Sequence, residues 1–274
     1  MANRQSIRVS EDGQAVAPPT EPLGGAAFDD STDGTALYWL GMAGFLINSR
    51  GTLLMVDPVL GGFDMPLLIE LPAQTSDISR LDAVLVTHAD NDHFSIPTCI
   101  DVVPVTGEFH STNYVAEVMR EHGIPGTGHH IGDRFSVGPL SIEVLPADHA
   151  WQNDDPEPGT RTFLDEDSCG FWITTPEGTI WAPGDSRLIR DHHLTMPSPT
   201  ALLFDFSDSD WHFGLDGAVE MANAYPDARL LLHHWGSVDS PDFSPFNGNP
   251  EDLFDVVVNP DRIQILAPGE AFAL

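Results

Sequence analysis

From Thr35 onward the apolar positions fall into short runs broken by turn-forming residues, and each break helps to assign an element. Thr35–Ile47 and Thr52–Val56 flank Asn48-Ser49-Arg50-Gly51, a hairpin signal because Asn and Gly accept the positive φ that tight turns between strands require. Asp57-Pro58 ends the second run, and Leu81–Thr87 reads as a short buried strand. Ser111–His122 reads as a helix, with Ser111 as N-cap and Gly123 just past its end. Strands are expected at Leu140–Leu145, Phe171–Thr175 and Thr179–Ala182, the last two joined by the turn Pro176-Glu177-Gly178. A helix over Gly217–Tyr225, capped by Asp216 and stopped by Pro226, leads into the apolar run Arg229–Leu232. Asn249-Pro250 opens a further helix, and Arg262–Ala267 before Pro268-Gly269 reads as the last strand.

Ahead of these elements, residues 11–35 are rich in Pro, Gly, Asp and Thr with little periodicity. We therefore expect residues 1–35 to form an N-terminal extension, mobile or draped over the surface, and residues 36–274 to form one catalytic domain.

Charge narrows the chemistry. There are 42 Asp and Glu residues against 11 basic ones, a formal net charge of −31, and every basic residue is Arg. The absence of lysine excludes Schiff-base, pyridoxal-phosphate and phosphate-loop enzymes, since each needs that amine. So acidic a surface repels phosphate backbones and anionic membranes over roughly 8–10 Å at physiological salt, so neither nucleic acid nor membrane is an expected partner. Adaptation to high salt accounts for the acidity equally well. A small-molecule substrate remains, with homo-oligomerisation left open. Cys99 and Cys169 form neither a zinc ribbon nor a disulfide framework and read as small core residues. The polar start Met1–Ser10 lacks the apolar stretch of a signal peptide, and no run approaches the roughly 18 apolar residues of a membrane span, so a cytoplasmic protein is expected.

The strongest local signal is Thr87-His88-Ala89-Asp90-Asn91-Asp92-His93, directly after a buried strand. Cations such as zinc or manganese need imidazole nitrogens and carboxylate oxygens converging at about 2.0–2.2 Å, and a tight turn can aim several such side chains into one pocket. Three more predicted strands end the same way, at Asp148-His149, Asp185 and His233-His234. Strand ends gather on one sheet edge, so residues far apart in the chain can meet there.

These residues resemble the metallo-β-lactamase superfamily, whose His-x-His-x-Asp-His motif follows a strand and is completed by a later His, a bridging Asp and a final His. The resemblance runs from about residue 36 to 270. Trp39-Leu40-Gly41, Gly44-Phe45-Leu46-Ile47, Val56-Asp57-Pro58, Gly184-Asp185-Ser186 and His234-Trp235-Gly236 look most like the branch containing L-ascorbate 6-phosphate lactonase. The phospholipase D acting on N-acyl-phosphatidylethanolamine is similar at greater distance. The resemblance implies an α+β fold, a four-layer αββα sandwich. It also implies two divalent cations, zinc or manganese with iron an alternative, one held by His88, Asp90 and His149 and the other by Asp92, His93 and His234, with Asp185 bridging. Asp90 departs from the family, which has its second histidine there; the harder oxygen ligand favours manganese or iron over zinc, or weakens that site until one metal remains.

The expected function is metal-dependent hydrolysis of a small lactone, ester or phosphoester, lactone opening preferred, by a metal-activated water that Asp92 helps to orient. His212, Asp208, Asp210 and Arg187 are candidates for proton transfer or substrate contact, His212 first. The acidity disfavours a phosphorylated substrate unless an arginine such as Arg187 forms a local positive patch. Trp39, Trp172 and Trp181 read as packing, whereas Trp151 and Trp211 are placed near the pocket mouth. His129-His130 and His192-His193 read as loop histidines, and His234 is preferred over His233 because strand alternation sends the two side chains apart. Two other readings use the same residues: an iron-dependent oxidoreductase, and a non-catalytic metal-binding protein in which Asp90 marks decay of one site.

Overall fold

A computed structural model describes residues 7–30, 33–156, 159 and 161–274. A short hairpin of β1 (Arg8–Val9) and β2 (Ala15–Val16) precedes the main body. The first sheet contains β3 (Thr35–Gly41), β4 (Gly44–Ser49), β5 (Thr52–Val56), β6 (Leu81–Leu85), β7 (Thr106–Thr112) and β8 (Gly126–His129). The second contains β9 (Arg134–Val137), β10 (Leu140–Pro146), β11 (Cys169–Thr174), β12 (Thr179–Ala182), β13 (Ala201–Asp205), β14 (Arg229–His233) and β15 (Ile263–Gln264), and β16 (Ala271–Ala273) returns to the first. Strand orders are β16-β3-β4-β5-β6-β7-β8 and β15-β14-β13-β12-β11-β10-β9. The helices are α1 (Ile96–Val102), α2 (Asn113–Glu121), α3 (Arg190–His193) and α4 (Gly214–Ala224).

Alternation along the first sheet shows why this is a four-layer αββα sandwich, as expected. Leu37, Trp39, Phe45, Ile47, Leu54, Val56, Ala83 and Leu85 join one core with second-sheet residues such as Val144, Phe171 and Ile173. Their neighbours Tyr38, Leu40, Leu46, Met55 and Val84 pack instead with Cys99 and Val102 of α1 and Val115 and Met119 of α2. With both faces covered, these strands read as continuous apolar runs. That continuity is why Thr35–Ile47 gave no sign of its internal turn: the run is two strands, reversed at Met42-Ala43 with Gly41 at φ 94° and Met42 at φ 48°. The expected second hairpin turn is present, with Arg50 and Gly51 both at positive φ.

Other expectations are corrected locally. The Ser111 helix starts at Asn113, because Ser111 and Thr112 belong to β7 and the Thr112 side chain accepts from the Val115 N–H. The Gly217 helix starts at Gly214, so Asp216 lies in its first turn rather than at its cap. Only Ile263–Gln264 of the expected last strand pairs with a neighbour, and β16 closes the chain. Asn249 caps a single short turn over Pro250–Asp252. Strands β7 and β13 and helix α1 had no assignment from the sequence.

The described part of the 1–35 extension makes specific contacts. Ala15 and Ala17 are buried, Arg8 donates to Ala17 O, and the Gln14 side-chain amide donates to Val238 O while its oxygen accepts from the Ser240 N–H. Among the described residues, no helix is long and apolar enough to cross a membrane.

Candidate metal centre

Strand direction builds the site. In the first sheet β5 and β6 run parallel, and in the second β12, β13 and β14 run parallel while β10, two antiparallel steps from β12, points the same way. Asp57 follows β5, the segment His88 to His93 follows β6, His149 follows β10, Asp185 follows β12, Asp205 ends β13 and His234 follows β14. Asp57, His88, Asp92, His93, His149, Asp185, Asp205 and His234 are buried, Asp90 is partly exposed, and Asn91 is exposed.

The carboxylate of Asp185 stands at the centre. Its Oδ2 lies 3.1 Å from His93 Nε2, 3.4 Å from His234 Nε2, 3.6 Å from His212 Nε2 and 3.9 Å from both His88 Nε2 and His149 Nε2. Asp92, His93, Asp185 and His234 each offer a ligand atom, all within 4.8 Å of one another, as do His88, His149 and Asp185. Asp90 Oδ2 is 3.5 Å from His88 Nε2 and 3.3 Å from His149 Nε2, and Asp92 Oδ2 is 2.9 Å from His234 Nε2. A third group, Asp205, His212 and His234, adjoins these.

Each imidazole is fixed from behind. Nδ1 of His88 meets Thr87 Oγ1 at 3.0 Å, that of His93 meets Asp57 Oδ2 at 2.8 Å, and that of His149 meets Trp211 O at 2.9 Å. His212 Nδ1 meets Asp205 Oδ2 at 2.5 Å, and His234 Nδ1 meets Pro245 O at 2.7 Å. Donation from Nδ1–H to these oxygens leaves the Nε2 lone pair facing the centre, which is how outer partners select the ligating tautomer. Asp57 also accepts from the Thr87 N–H and hydroxyl, tying the turn after β6 to the end of β5.

The donors fit a divalent cation. His88 Nε2 and Asp185 Oδ1 are buried without a hydrogen-bond partner, an arrangement that costs about 1–3 kcal/mol per group unless something completes it. Charge supports the same conclusion. Burial pushes the Asp185 carboxyl up, but the imidazoles of His234, His93 and His212 outweigh it and hold it well below the usual range. Burial likewise lowers His234, yet Asp185, Asp92 and Asp205 raise it to about 10. Carboxylates that attract protons this strongly onto their neighbours also attract a cation.

Asp90 is held differently from the others. Its Oδ2 accepts from Trp151 Nε1 at 2.7 Å and its Oδ1 from Gln152 Nε2 at 3.1 Å. Burial acts to raise its carboxyl, but His149 and His88 hold it well below the usual range.

A cavity of about 300 Å³ opens over the cluster, walled by Phe63, Met65, Trp151, Trp211, Phe243 and Phe246, with Asp92, Asp185, His212 and His234 on its floor. The other sequence candidates lie elsewhere. Asp208 is exposed and accepts from the Leu215 N–H at the start of α4, and Asp210 is exposed with its carbonyl accepting from Arg187. His233 points toward Phe45, and burial pulls it down to about 4. His192 and His193 pack on Trp181, while His129 pairs with His110. Cys99 and Cys169 are free and buried, which pushes the Cys99 thiol up to about 12.

Asp57, Thr87 and Asp205 were not singled out for roles in the site. Asp205 had a readable signal: it closes the apolar run Ala201–Phe204, as His and Asp close the other strands.

Residues 52–235 match the β-lactamase superfamily domain. The chain belongs to that superfamily. A metal-dependent hydrolase of Pyrobaculum aerophilum is 30% identical over 169 residues, 58% of this chain and 64% of that protein, so the match spans a little under two thirds of the relative. A metal-dependent hydrolase of Pyrobaculum neutrophilum is 28% identical over 255 residues, covering 87% of this chain and 99% of its own. The crystal structure of an isothiocyanate hydrolase from Delia radicum gut bacteria superposes with a TM-score of 0.69 at 20% identity, over 87% of this chain and 100% of that one.

Proposed function

We propose that the protein is a metal-dependent hydrolase of a small lactone or ester, with the cations held by His88, Asp90 and His149 on one side, by Asp92, His93 and His234 on the other, and by Asp185 between them. The observation that carries this reading is the convergence of five imidazole Nε2 atoms on Asp185 Oδ2, every Nδ1 being held by an outer partner. Bound divalent cations in such a site lower the pKa of water and polarise a carbonyl or phosphoryl oxygen. The names of the Pyrobaculum relatives support hydrolysis, and the resemblance to the lactonase branch favours a carbonyl substrate.

The chain's own residues supply the remaining steps. His212 donates Nδ1–H to Asp205, so its Nε2 faces the cavity floor as a proton acceptor, and after bond cleavage it can return that proton to the leaving oxygen. Asp205 is the positioning residue, fixing the tautomer and stabilising the charged ring. On this reading Asp92 holds a cation and orients the nucleophile. The aromatic wall limits the water that reaches the floor.

The test is elemental analysis of the purified protein, then hydrolysis of lactones, aryl esters and aryl phosphodiesters after loading with zinc, manganese or iron. Retained metal and turnover of a lactone or ester are expected. A protein that retains no cation, or one that holds cations and consumes oxygen instead of hydrolysing any substrate, overturns the reading.

A further inference from the structure

The wall of the cavity carries information that its floor does not. Phe63, Met65, Trp151, Trp211, Phe243 and Phe246 present rings and a thioether to the space above the cluster, and among the described residues no arginine lines it. The sequence has no lysine, so arginine is the only permanent cation that could serve there. Arg187, the sequence candidate, lies in an adjoining recess with Asp154 and Asp210. Its guanidinium is 3.0 Å from Asp154 Oδ2 and 3.6 Å from Asp148 Oδ1, and its Nε donates to Asp210 O at 2.9 Å. Asp154 also accepts from Trp211 Nε1 at 2.9 Å. Two carboxylates thus offset this arginine, and its geometry is committed to the loop that presents Trp211.

An anionic group on the distal part of a substrate would leave water for aromatic surface with no cation to receive it, inside the field of a chain with net charge −31. An ammonium group there would lose its hydration as well, since the wall itself holds no carboxylate and those of Asp92 and Asp185 lie on the floor, whereas an apolar chain or ring gains by the same burial. Resting on the hydrolase reading above, we propose that this site takes an uncharged substrate whose non-reacting part is an apolar chain or ring lying between the Trp151–Trp211 pair, centroids 5.5 Å apart, and Phe243 with Phe246. A phosphate or carboxylate on that non-reacting part is excluded by the lack of a free cation in the wall, not by size.

The metal-loaded enzyme, its metal content measured, is assayed with four 4-nitrophenyl esters whose acyl parts are acetyl, octanoyl, the suberate half-ester and 8-aminooctanoyl. The last two place a negative or a positive charge at the far end of the same chain. The neutral ether 4-nitrophenyl octyl ether, which has no bond to hydrolyse, is titrated in parallel by quenching of tryptophan fluorescence. The octanoyl ester is expected to exceed the acetyl, suberate and amino esters by about 10-fold or more in kcat/KM. Phe243→Arg, at a rim position 42% exposed, should narrow the octanoyl-to-suberate gap by about 10-fold. Turnover without chain-length dependence, or with a preference for either charged ester, overturns this inference and leaves the hydrolase reading intact. Ether binding that Phe243→Arg weakens, with no turnover of any ester, keeps the apolar site and overturns the hydrolase reading. No turnover and no ether binding overturns both.

Discussion

Trp151 donates its indole N–H to Asp90 Oδ2 at 2.7 Å, so one side chain both walls the cavity and holds a carboxylate of the cluster. Gln152 holds the other oxygen, so both carboxylate oxygens of Asp90 are fixed by the same short stretch of chain. Outer-partner bonds of this kind typically change metal affinity by about 10–100-fold when removed. Trp151→Phe keeps the ring and removes the donor, so metal affinity should fall by about 10-fold with little loss of fold stability, read by competition against a chelator and by thermal melting. Asp90→His should raise the zinc-to-manganese ratio bound from an equimolar mixture, and more so when combined with Trp151→Phe, which removes a donor left without its acceptor. An unchanged ratio in both variants would show that Asp90 does not set metal choice.

Five imidazoles face Asp185 Oδ2 within 3.9 Å, so its charge acts on the whole cluster. Asp185→Asn preserves the shape and removes the charge, and at least one cation per chain should be lost. Because an Asn oxygen can still ligate, elemental analysis of Asp185→Ala decides the matter: wild-type stoichiometry in the alanine variant takes Asp185 out of the ligand set.

The legible part of the site was the part written at strand ends. His88, His149, Asp185 and His234 each follow a recognisable apolar run, and the parallel strands carry them to one edge. The partners that aim them were harder to read. The oxygens behind His149 and His234 are the backbone carbonyls of Trp211 and Pro245, which leave no mark in side-chain chemistry. Likewise the Met42-Ala43 reversal is silent because β3 and β4 are buried on both faces, so no polar residue marks the break. Helix α1 was hidden by its length: one short stretch of apolar residues after Ser95-Ile96-Pro97 gives too few turns for a period to emerge.

His212 and Asp205 form a dyad whose free nitrogen faces the cavity floor. His212→Gln should lower kcat by about 100-fold or more with metal content unchanged, the size expected for loss of a general acid–base group. Asp205→Asn should lower kcat too, because its amide can donate to Nδ1 and favour the opposite tautomer, while KM changes little. Equal losses of metal and activity in both variants would assign the dyad to ligation instead.

Acid stability has a separate source in an imidazole outside the cluster. His193 packs against Trp181 and Phe213, its Nδ1 accepts from the Ile189 N–H, and burial with His192 beside it pushes the imidazole down to about 3. In the unfolded chain it titrates near 6.5. The unfolded state therefore binds more protons between these values, and stability rises with pH through the window, complete above roughly 6.5 and lost as pH falls toward 3. His193→Gln should remove up to about 1.4 kcal/mol per pH unit from the slope of unfolding free energy in that range. Urea melts from pH 4 to 7 with an unchanged slope would locate the acid sensitivity in other groups.

Gly236 joins the N-terminal segment to the loop that carries His234. It sits at φ 62°, its carbonyl accepts from the Ala17 N–H at 2.9 Å, and a Cβ there would lie 2.5 Å from that same nitrogen. His234 itself is at φ 62°, so the turn after β14 is strained at a non-glycine residue and depends on its surroundings to hold it. One of those surroundings is Met42, whose carbonyl accepts from the His234 N–H; another is the segment ending at Ala17. Gly236→Ala combines an unfavourable φ with a backbone clash that no rotamer can relieve, so it should cost about 1–3 kcal/mol and displace residues 8–17 from the loop. Limited proteolysis should then cut within that segment faster than in the wild type, and metal affinity should fall because the His234 turn has lost its support. If the segment is cut faster while metal affinity stays at the wild-type value, the N-terminal contact stabilises the fold without holding the metal centre.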